Sequence, residues 1–429
     1  MKQTENGNKT LCCGLLGEKL GHSYSPGIHR LLADYEYRLY ERTSEELDSF
    51  LLKGKWDGLN VTIPYKKRVV PYCAELSEAA ARVGSVNTLV KDPSENIFGD
   101  NTDVYGFSCL LKRLGVDPAG KKALILGNGG ASVSVRYVLE NAGTETVVIS
   151  RSGENNYTNL DRHKDAALLV NTTPVGMYPE NGKQAVSLAC FPALEGVLDI
   201  IYNPFRTALL LQAEEAGIPF ASGLYMLTAQ AVKSSRLFLH GKDCQDCDEK
   251  DMAQQIDAIT QILAHSMQNL ILVGMPGCGK SSVSKVLAKK TGRELLELDQ
   301  MFETIHGISP AQCILQEGEA VFREKETQVI REAGKLSGMI LSTGGGCVTI
   351  PENYPLLHQN GVIVWLEREI GELEQKGRPL SERESLAAMY ERRRPCYERF
   401  ADLRVVNDGS LDEVAGKILS LYEKRRFLG

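Results

Sequence analysis

No apolar run in this chain approaches the roughly 20 residues that a membrane-crossing helix needs, so no spanning segment is expected. A basic block is missing as well: 49 Lys and Arg against 55 Asp and Glu leave a formal net charge of −6. That balance argues against a nucleic-acid or anionic-membrane surface, and any anionic substrate must then be met by a few placed basic side chains. The polar start Met1-Lys2-Gln3-Thr4-Glu5-Asn6 has no apolar signal-peptide core. A cytoplasmic enzyme, monomeric or homodimeric, is the expectation. Internal repeats and low-complexity linkers are absent too. Cysteine is not scarce, but 11 is an odd number, and the residues are scattered through apolar segments such as Leu11-Cys12-Cys13-Gly14. They read as reduced, buried thiols rather than a disulfide framework. The one Cys-x-x-Cys, Cys244 to Cys247, has no second pair at zinc-site spacing and reads as a polar turn.

What is present is length and two glycine loops. At 429 residues the chain exceeds what one core usually serves, and domains of roughly 100–200 residues predict two or three. Gly127-Asn128-Gly129-Gly130-Ala131-Ser132 follows the apolar run Ala123 to Leu126, and Gly274-Met275-Pro276-Gly277-Cys278-Gly279-Lys280-Ser281-Ser282 follows Leu270 to Val273. Both read as strand, loop and helix start, which sets backbone N–H groups and a helix N-terminus against an anion. Only the second adds a lysine to balance phosphate charge and a serine for Mg²⁺. The first therefore suits a dinucleotide, the second a nucleoside triphosphate. Strand-like runs at Leu124, Val147 to Ile149, Leu168 to Val170 and Val197 to Ile201 predict a parallel sheet with its site at the carboxyl ends. A helix is expected from Met226 to Leu239. A fresh set of buried strands starts at Leu270, with others at Met339 to Leu341 and Val362 to Trp365.

Ahead of the first loop lie three polar clusters. Gly21-His22-Ser23-Tyr24-Ser25-Pro26 sets two hydroxyls on one side if the segment is extended, where they could grip a carboxylate; turn residues before a helix started by Pro26 are the plain alternative. Asn60-Val61-Thr62-Ile63-Pro64-Tyr65-Lys66 ends a strand in polar groups that include a lysine, and Gly99-Asp100-Asn101-Thr102-Asp103 offers a carboxylate. Together with Gly84 to Thr88, Asn171 to Met177, Asp199 to Pro204 and Gly223 to Gln230, these clusters resemble shikimate dehydrogenase over roughly residues 10 to 265. The resemblance implies that Lys66 and Asp103 form the catalytic pair, that Ser23 and Ser25 hold the substrate carboxylate, and that Thr62, Asn87, Asp103 and Gln230 hold its ring hydroxyls. Tyr202 and Gly223 would border the nicotinamide side. Gly127, Asn128, Gly129, Gly130 and Ala131 would bind the cofactor. Ser150-Arg151-Ser152 ends the second strand with an arginine suited to the 2′-phosphate of NADP. The family's second arginine there is replaced by Asn155. About 20 residues separate Arg151 from Asn171, fewer than a further helix and strand need, so the adenosine side is expected to be trimmed.

After the second loop come Leu296-Glu297-Leu298-Asp299, Gly318 to Glu326, Ser342-Thr343-Gly344-Gly345-Gly346, Arg378-Pro379-Leu380 and Arg393-Arg394-Pro395-Cys396-Tyr397. This ordered set resembles shikimate kinase across about residues 269 to 425. The resemblance implies that Gly274, Pro276, Gly277, Cys278, Gly279, Lys280, Ser281 and Ser282 hold ATP, with Mg²⁺ at Ser281 and Glu297 directly or through water. Asp299 would orient or deprotonate the attacking hydroxyl, Arg323 and Arg393 would clamp the carboxylate, and Gly344, Gly345 and Gly346 would approach the ring. Arg378 would arrive on a lid to neutralise charge on the transferred group.

The expected fold class is α/β. An N-terminal α/β substrate domain (1–110, completed by 226–265) and a Rossmann-like NADP domain (111–225) would precede a P-loop kinase domain of the nucleoside monophosphate kinase type (266–429). The expected function is reduction of 3-dehydroshikimate to shikimate with NADPH, then phosphorylation of shikimate with ATP and Mg²⁺. A quinate-type dehydrogenase fused to another polyol kinase, or a fusion with one degenerate half, are the alternatives.

Overall fold

The apolar runs form three sheets in a computed structural model that describes residues 10–21, 23–242, 248–373 and 385–426. In the first sheet β1 (Cys12–Gly17), β2 (Glu36–Glu41), β3 (Gly58–Val61), β4 (Glu75–Leu76), β5 (Thr88–Lys91) and β6 (Ile97–Asp100) take the order β2-β1-β3-β5-β6-β4. Here β1 pairs in parallel with β2 and β3, whereas β5 is antiparallel to β3 and β6. That register sets Thr88 opposite both Asn60 and Asp100. The polar segments Asn60 to Lys66, Gly84 to Thr88 and Gly99 to Asp103 therefore meet at one end of the sheet.

The second sheet, β7 (Lys122–Leu126), β8 (Glu145–Ile149), β9 (Leu168–Asn171), β10 (Gly196–Asp199) and β11 (Phe220–Ser222), is wholly parallel in the order β11-β10-β9-β7-β8. Because β8 and β9 flank β7 on opposite sides, the crevice beyond β7 is the topological switch point, and Gly127 opens the loop that lies there. Between β8 and β9 the described structure holds only a 3₁₀ turn, Leu160–His163, so the sheet ends at β8 as the short spacing implied. Asn155 ties this excursion down: its carbonyl accepts from Ser150 N at 3.1 Å and its Oδ1 meets buried His163 Nε2 at 3.1 Å.

The third sheet is also parallel, with β12 (Asn269–Val273), β13 (Leu295–Glu297), β14 (Ile340–Ser342), β15 (Gly361–Glu367) and β16 (Leu403–Val406) in the order β13-β14-β12-β15-β16. Every residue of central β12 is buried, which is why it reads as an unbroken apolar run.

Two helices join these layers. Helix Gly223–His240 starts three residues before the expected Met226 and packs on helix Thr102–Leu114. Helix Glu249–Met267 lies against it, with Arg113 Nη1 on Asp257 Oδ1 at 3.2 Å, and runs directly into β12. One apolar cluster continues from Leu110 and Val232 through Ile256 and Leu263 to Leu270 and Val364, so the two halves share a continuous core. All nine described cysteines are free, but the expected burial is incomplete: Cys12, Cys73, Cys109 and Cys396 are half-buried and Cys190 is exposed. Cys244 and Cys247 lie outside the described residues. No described helix is long and apolar enough to cross a membrane.

Candidate active sites

The first cavity, about 280 Å³, opens where the first two sheets meet. Lys66 reaches it from the turn after β3, where Tyr65 N donates to Thr62 O at 2.9 Å and Val86 N donates to Lys66 O at 2.8 Å. Asp103 stands in the first turn of helix Thr102–Leu114, a position that favours a carboxylate. Lys66 Nζ donates to Asp103 Oδ2 at 2.6 Å and Asn87 Nδ2 donates to Asp103 Oδ1 at 2.9 Å. The Asn87 amide has a defined orientation because its Oδ1 accepts from Thr102 N at 2.7 Å. Thr102 Oγ1 in turn lies 3.4 Å from Gln230 Oε1, and Gln230 Nε2 donates to Leu227 O at 3.0 Å. Ser23, Ser25, Thr62, Tyr202 and Gln230 line the same cavity, with Ala131 and Gly223 on its cofactor side.

The serine segment takes the plain alternative, a turn leading into a helix, rather than an extended run. Tyr24 is helical (φ −76°, ψ −15°), and Ser25 rather than Pro26 is the first residue of helix Ser25–Leu32. Ser25 N donates to Ser23 Oγ at 3.2 Å, so the two hydroxyls converge through a capping turn, not through the alternation of a strand. Tyr24 packs edge-on against Tyr202, 5.7 Å between ring centres. Burial raises both phenols above their ordinary pKa, so Tyr202, which lines the cavity, presents an uncharged phenol to it.

The loop after β7 is shaped for a dinucleotide. Gly127 has φ +98°, and a Cβ there would come within 2.9 Å of Thr173 Cγ2. Cβ atoms on Gly129 or Gly130 would meet nothing within 4 Å, so the start of helix Gly130–Asn141 is open to a pyrophosphate. Ser132, at the fingerprint's third glycine or alanine position, is buried and donates to Gly129 O at 2.6 Å. Arg151 is exposed on the turn after β8, and Asn128 is exposed beside Gly129. These residues fit NADP.

The second cavity, about 530 Å³, gathers both the nucleotide loop and the acceptor residues. Pro276, Gly277, Gly279, Lys280, Ser281 and Ser282 form one wall, and Asp299, Arg323, Gly344 to Gly346 and Arg393 form the other. Lys280 opens helix Lys280–Thr291, and its Nζ donates to Gly274 O at 2.9 Å and Met275 O at 3.0 Å. Ser281 Oγ donates to Glu297 Oε2 at 2.8 Å, which brings together the two oxygens expected near Mg²⁺. No cluster of three metal-ligating His, Cys, Asp or Glu side chains exists among the described residues; Mg²⁺ held mainly by nucleotide phosphates and one or two protein oxygens needs none. Gly274 and Cys278 stand behind this wall. A Cβ on Gly274 would strike Leu366 O at 2.3 Å, while Cys278 is wholly buried and its carbonyl accepts from Asn407 Nδ2 at 2.7 Å. They shape the loop without lining the cavity. The loop and its serine–glutamate pair fit ATP with Mg²⁺.

On the acceptor side Arg323 Nη1 donates to Glu326 Oε2 at 2.7 Å and Nη2 to Glu319 Oε1 at 3.1 Å. Arg393 Nη1 and Tyr397 Oη both donate to Gly345 O, at 3.1 and 2.5 Å. The Nε atoms of Arg323 and Arg393 are buried with no hydrogen-bond partner, so each guanidinium keeps an unused donor in this wall. The glycine triplet is tightly packed: a Cβ on Gly345 would lie 2.7 Å from Pro276 Cδ and 2.9 Å from Pro276 N, and Cβ atoms on Gly344 and Gly346 would press on Glu326 Oε1 at 2.6 Å and Arg323 Nη2 at 2.1 Å, the ends of two side chains paired with each other. Glu326 is a residue that sequence reasoning missed. Burial lifts its carboxyl above the usual range, with Arg323 opposing. Its sequence signal was Arg and Glu three apart on one helix face, which is common. Asn407 and Arg368 also line the cavity without having been singled out. Arg378 lies outside the described residues.

Fold and sites define a nucleotide-dependent enzyme with two centres, one of the oxidoreductase type on a dinucleotide-binding sheet and one of the P-loop phosphotransferase type. The shikimate dehydrogenase substrate binding domain profile matches residues 15–89, and the shikimate kinase profile matches residues 276–423. A shikimate dehydrogenase (NADP(+)) of Clostridium perfringens is 36% identical over 248 residues, 52% of this chain and 91% of the relative. A solved chorismate mutase/shikimate 5-dehydrogenase fusion protein from Clostridium acetobutylicum superposes with a TM-score of 0.54 at 35% identity, over 59% of this chain and 97% of that one. Shikimate 5-dehydrogenase from Thermus thermophilus, solved with NADP(H) and shikimate, gives 0.51 at 28% identity over 58% of this chain and all (100%) of that one. The chain belongs to the shikimate dehydrogenase family and carries a shikimate kinase domain after it.

Proposed function

We propose that this chain carries out two consecutive steps, reduction of 3-dehydroshikimate to shikimate with NADPH and phosphorylation of shikimate at its 3-hydroxyl with ATP and Mg²⁺. The observation that carries the reading is the pairing of two cavities, one holding the Lys66–Asp103 couple at 2.6 Å and the other holding a phosphate loop opposite two buried arginines. When bound, NADPH supplies the hydride and ATP the phosphoryl group. In the first cavity Lys66 Nζ holds the ketone oxygen and delivers the proton that the nascent alkoxide needs, while Asp103, braced by Asn87, keeps the ammonium aimed. Ser23 and Ser25 bind the carboxylate. In the second cavity Arg323 and Arg393 bind that same carboxylate and Asp299 orients the attacking hydroxyl. Lys280 exchanges its loop carbonyls for phosphate oxygens, Ser281 and Glu297 serve the metal, and Arg378 closes over the transferred group. In this reading 1–110 with 226–265 bind the first substrate, 111–225 bind NADP and 266–429 form the kinase.

The test is direct. Purified chain is given 3-dehydroshikimate and NADPH, loss of reduced cofactor is followed, and ATP with Mg²⁺ is added before the phosphorylated product is sought. Lys66→Ala is expected to abolish the first step and spare the second, and Lys280→Ala to do the reverse. A wild-type chain that performs neither step, or variants that each disable both, would refute the reading.

A further inference from the structure

The loop from Asp199 to Thr207 leaves β10 and carries two residues of the first cavity, Ile200 and Tyr202. Its ends are fixed within its own half. Asp199 accepts from Asn171 Nδ2 at 3.1 Å, Ile201 N at 3.0 Å and Thr207 Oγ1 at 2.7 Å, and Gly223 N donates to Ile201 O at 3.0 Å. Its middle is held from the other half of the chain. Phe205 N donates to Asn360 Oδ1 at 2.8 Å, Arg206 N to Gln359 O at 2.8 Å and Arg206 Nη1 to His358 O at 3.1 Å. Arg206 is only 5% exposed, and its Nε lies 3.6 Å from Glu214 Oε2, which also meets His358 Nε2 at 3.2 Å. Asn181 Nδ2 donates to Gln359 Oε1 at 2.9 Å from a second loop of the same half.

The segment 358–360 is itself rigidly placed. It joins helix Asn353–His358 to β15, and Asn360 O accepts at 2.7 Å from Asn269 N, the first residue of the strand that ends in the phosphate loop. Asn360 Nδ2 caps Lys335 O at 3.2 Å. His358, Gln359 and Asn360 are all at most 4% exposed. A buried hydrogen bond between groups that water cannot reach is expensive to leave unmade, so the loop cannot drift from this seat without orphaning several polar atoms at once. Tyr202 is three residues from Phe205 in the sequence.

We propose that His358, Gln359 and Asn360 of the kinase half are positioning residues of the reductase, holding through Phe205 and Arg206 the loop that sets Tyr202 and Ile200 against the substrate. The proposal rests on the reading of the first cavity as the reductase site. It makes the kinase half a structural part of the first active centre, beyond its own chemistry.

The test uses the full chain and three variants, Arg206→Met, Arg206→Lys and Asn360→Ala, the last of which removes the side-chain acceptor of Phe205 N, each assayed below its thermal unfolding midpoint. Arg206→Met is expected to raise KM for 3-dehydroshikimate about tenfold with kcat within about threefold, the mark of lost ground-state placement rather than lost chemistry. Its kinase constants for shikimate and ATP stay those of wild type, Arg206→Lys recovers most of the loss, and Asn360→Ala shows a smaller rise in the same reductase KM. Unchanged reductase KM in folded Arg206→Met and Asn360→Ala overturns the proposal, as does a proportional fall of both activities in Arg206→Met without rescue by lysine. Wild-type chain inactive toward 3-dehydroshikimate would instead remove the functional reading on which the proposal stands, a result visible before any variant is made.

Discussion

Lys66 and Asp103 are 37 positions apart in sequence, yet their charged atoms sit 2.6 Å apart at side-chain exposures of 30% and 16%. Partial burial matters, because a charge pair in this setting keeps more of its directional force than one in open water. Replacing Asp103 by Asn keeps the shape and removes the negative charge that aims the ammonium. Reductase kcat in Asp103→Asn should fall about 10²–10⁴-fold, while the rate of shikimate phosphorylation in the same preparation stays at the wild-type value. A retained kcat would remove Asp103 from the catalytic pair. In the second cavity Arg393 is 2% exposed with its Nε unpaired, and a charge-assisted hydrogen bond to a buried group is worth about 1.5–3 kcal/mol. Arg393→Met should therefore raise KM for shikimate about 10- to 100-fold and leave KM for ATP nearly unchanged. An effect confined to ATP would place Arg393 on the nucleotide side instead.

Single elements carry the next level of constraint, and helix Gly223–His240 is the clearest case. Its first residue packs so closely on the preceding loop that a Cβ on Gly223 would lie 1.9 Å from Ile200 O, a backbone atom that cannot swing aside. Gly223→Ala should destabilise the chain by about 1–3 kcal/mol and raise reductase KM, since Ile200 and Tyr202 must shift to admit the methyl group; chemical denaturation and steady-state kinetics check both. A fully stable variant with normal KM would mean the loop yields freely. This close approach was legible only as a glycine in a family string. Strand and loop positions read better: the runs at Leu124, Leu168, Leu270 and Val362 all fall in buried parallel strands, because a strand covered on both faces must be apolar throughout. The serine pair follows the turn-before-helix alternative rather than the extended one because Tyr24 adopts helical backbone angles, a choice that alternation arguments alone cannot make. Glu326 escaped notice since Arg–Glu spacing on a helix is common and its meaning comes from burial beside Gly344. The Arg206–His358 contact spans 152 positions, and no local pattern announces such a partner.

At the scale of the whole molecule the halves meet through charge as well as apolar packing. Asp402, after the last kinase helix before β16, accepts from Ile363 N at 2.8 Å and from Arg425 Nη2 at 2.7 Å, and lies 3.5 Å from His358 Nδ1. Through His358 it is linked to Glu214 on the other half. Burial pushes the Asp402 carboxyl up, but His358, Arg425 and the Ile363 amide outweigh it and hold the group at about 2. The folded value is thus below that of an unfolded aspartate, roughly 3.9. A carboxyl depressed in this way contributes stability that is complete above the unfolded pKa and is lost as pH falls through about 2. The contribution at neutral pH is about 2–3 kcal/mol. Asp402→Asn, similar in size but uncharged, should lower the midpoint of the first unfolding transition at pH 7, and the gap from wild type should narrow steadily between about pH 4 and pH 2. Urea titrations at pH 7, 4 and 2.5 measure it. A gap that stays constant with acidification would mean that the Asp402 charge adds nothing to the seam between the halves, which then rests on the shared apolar core and on the hydrogen bonds from segment 358–360 to Phe205 and Arg206.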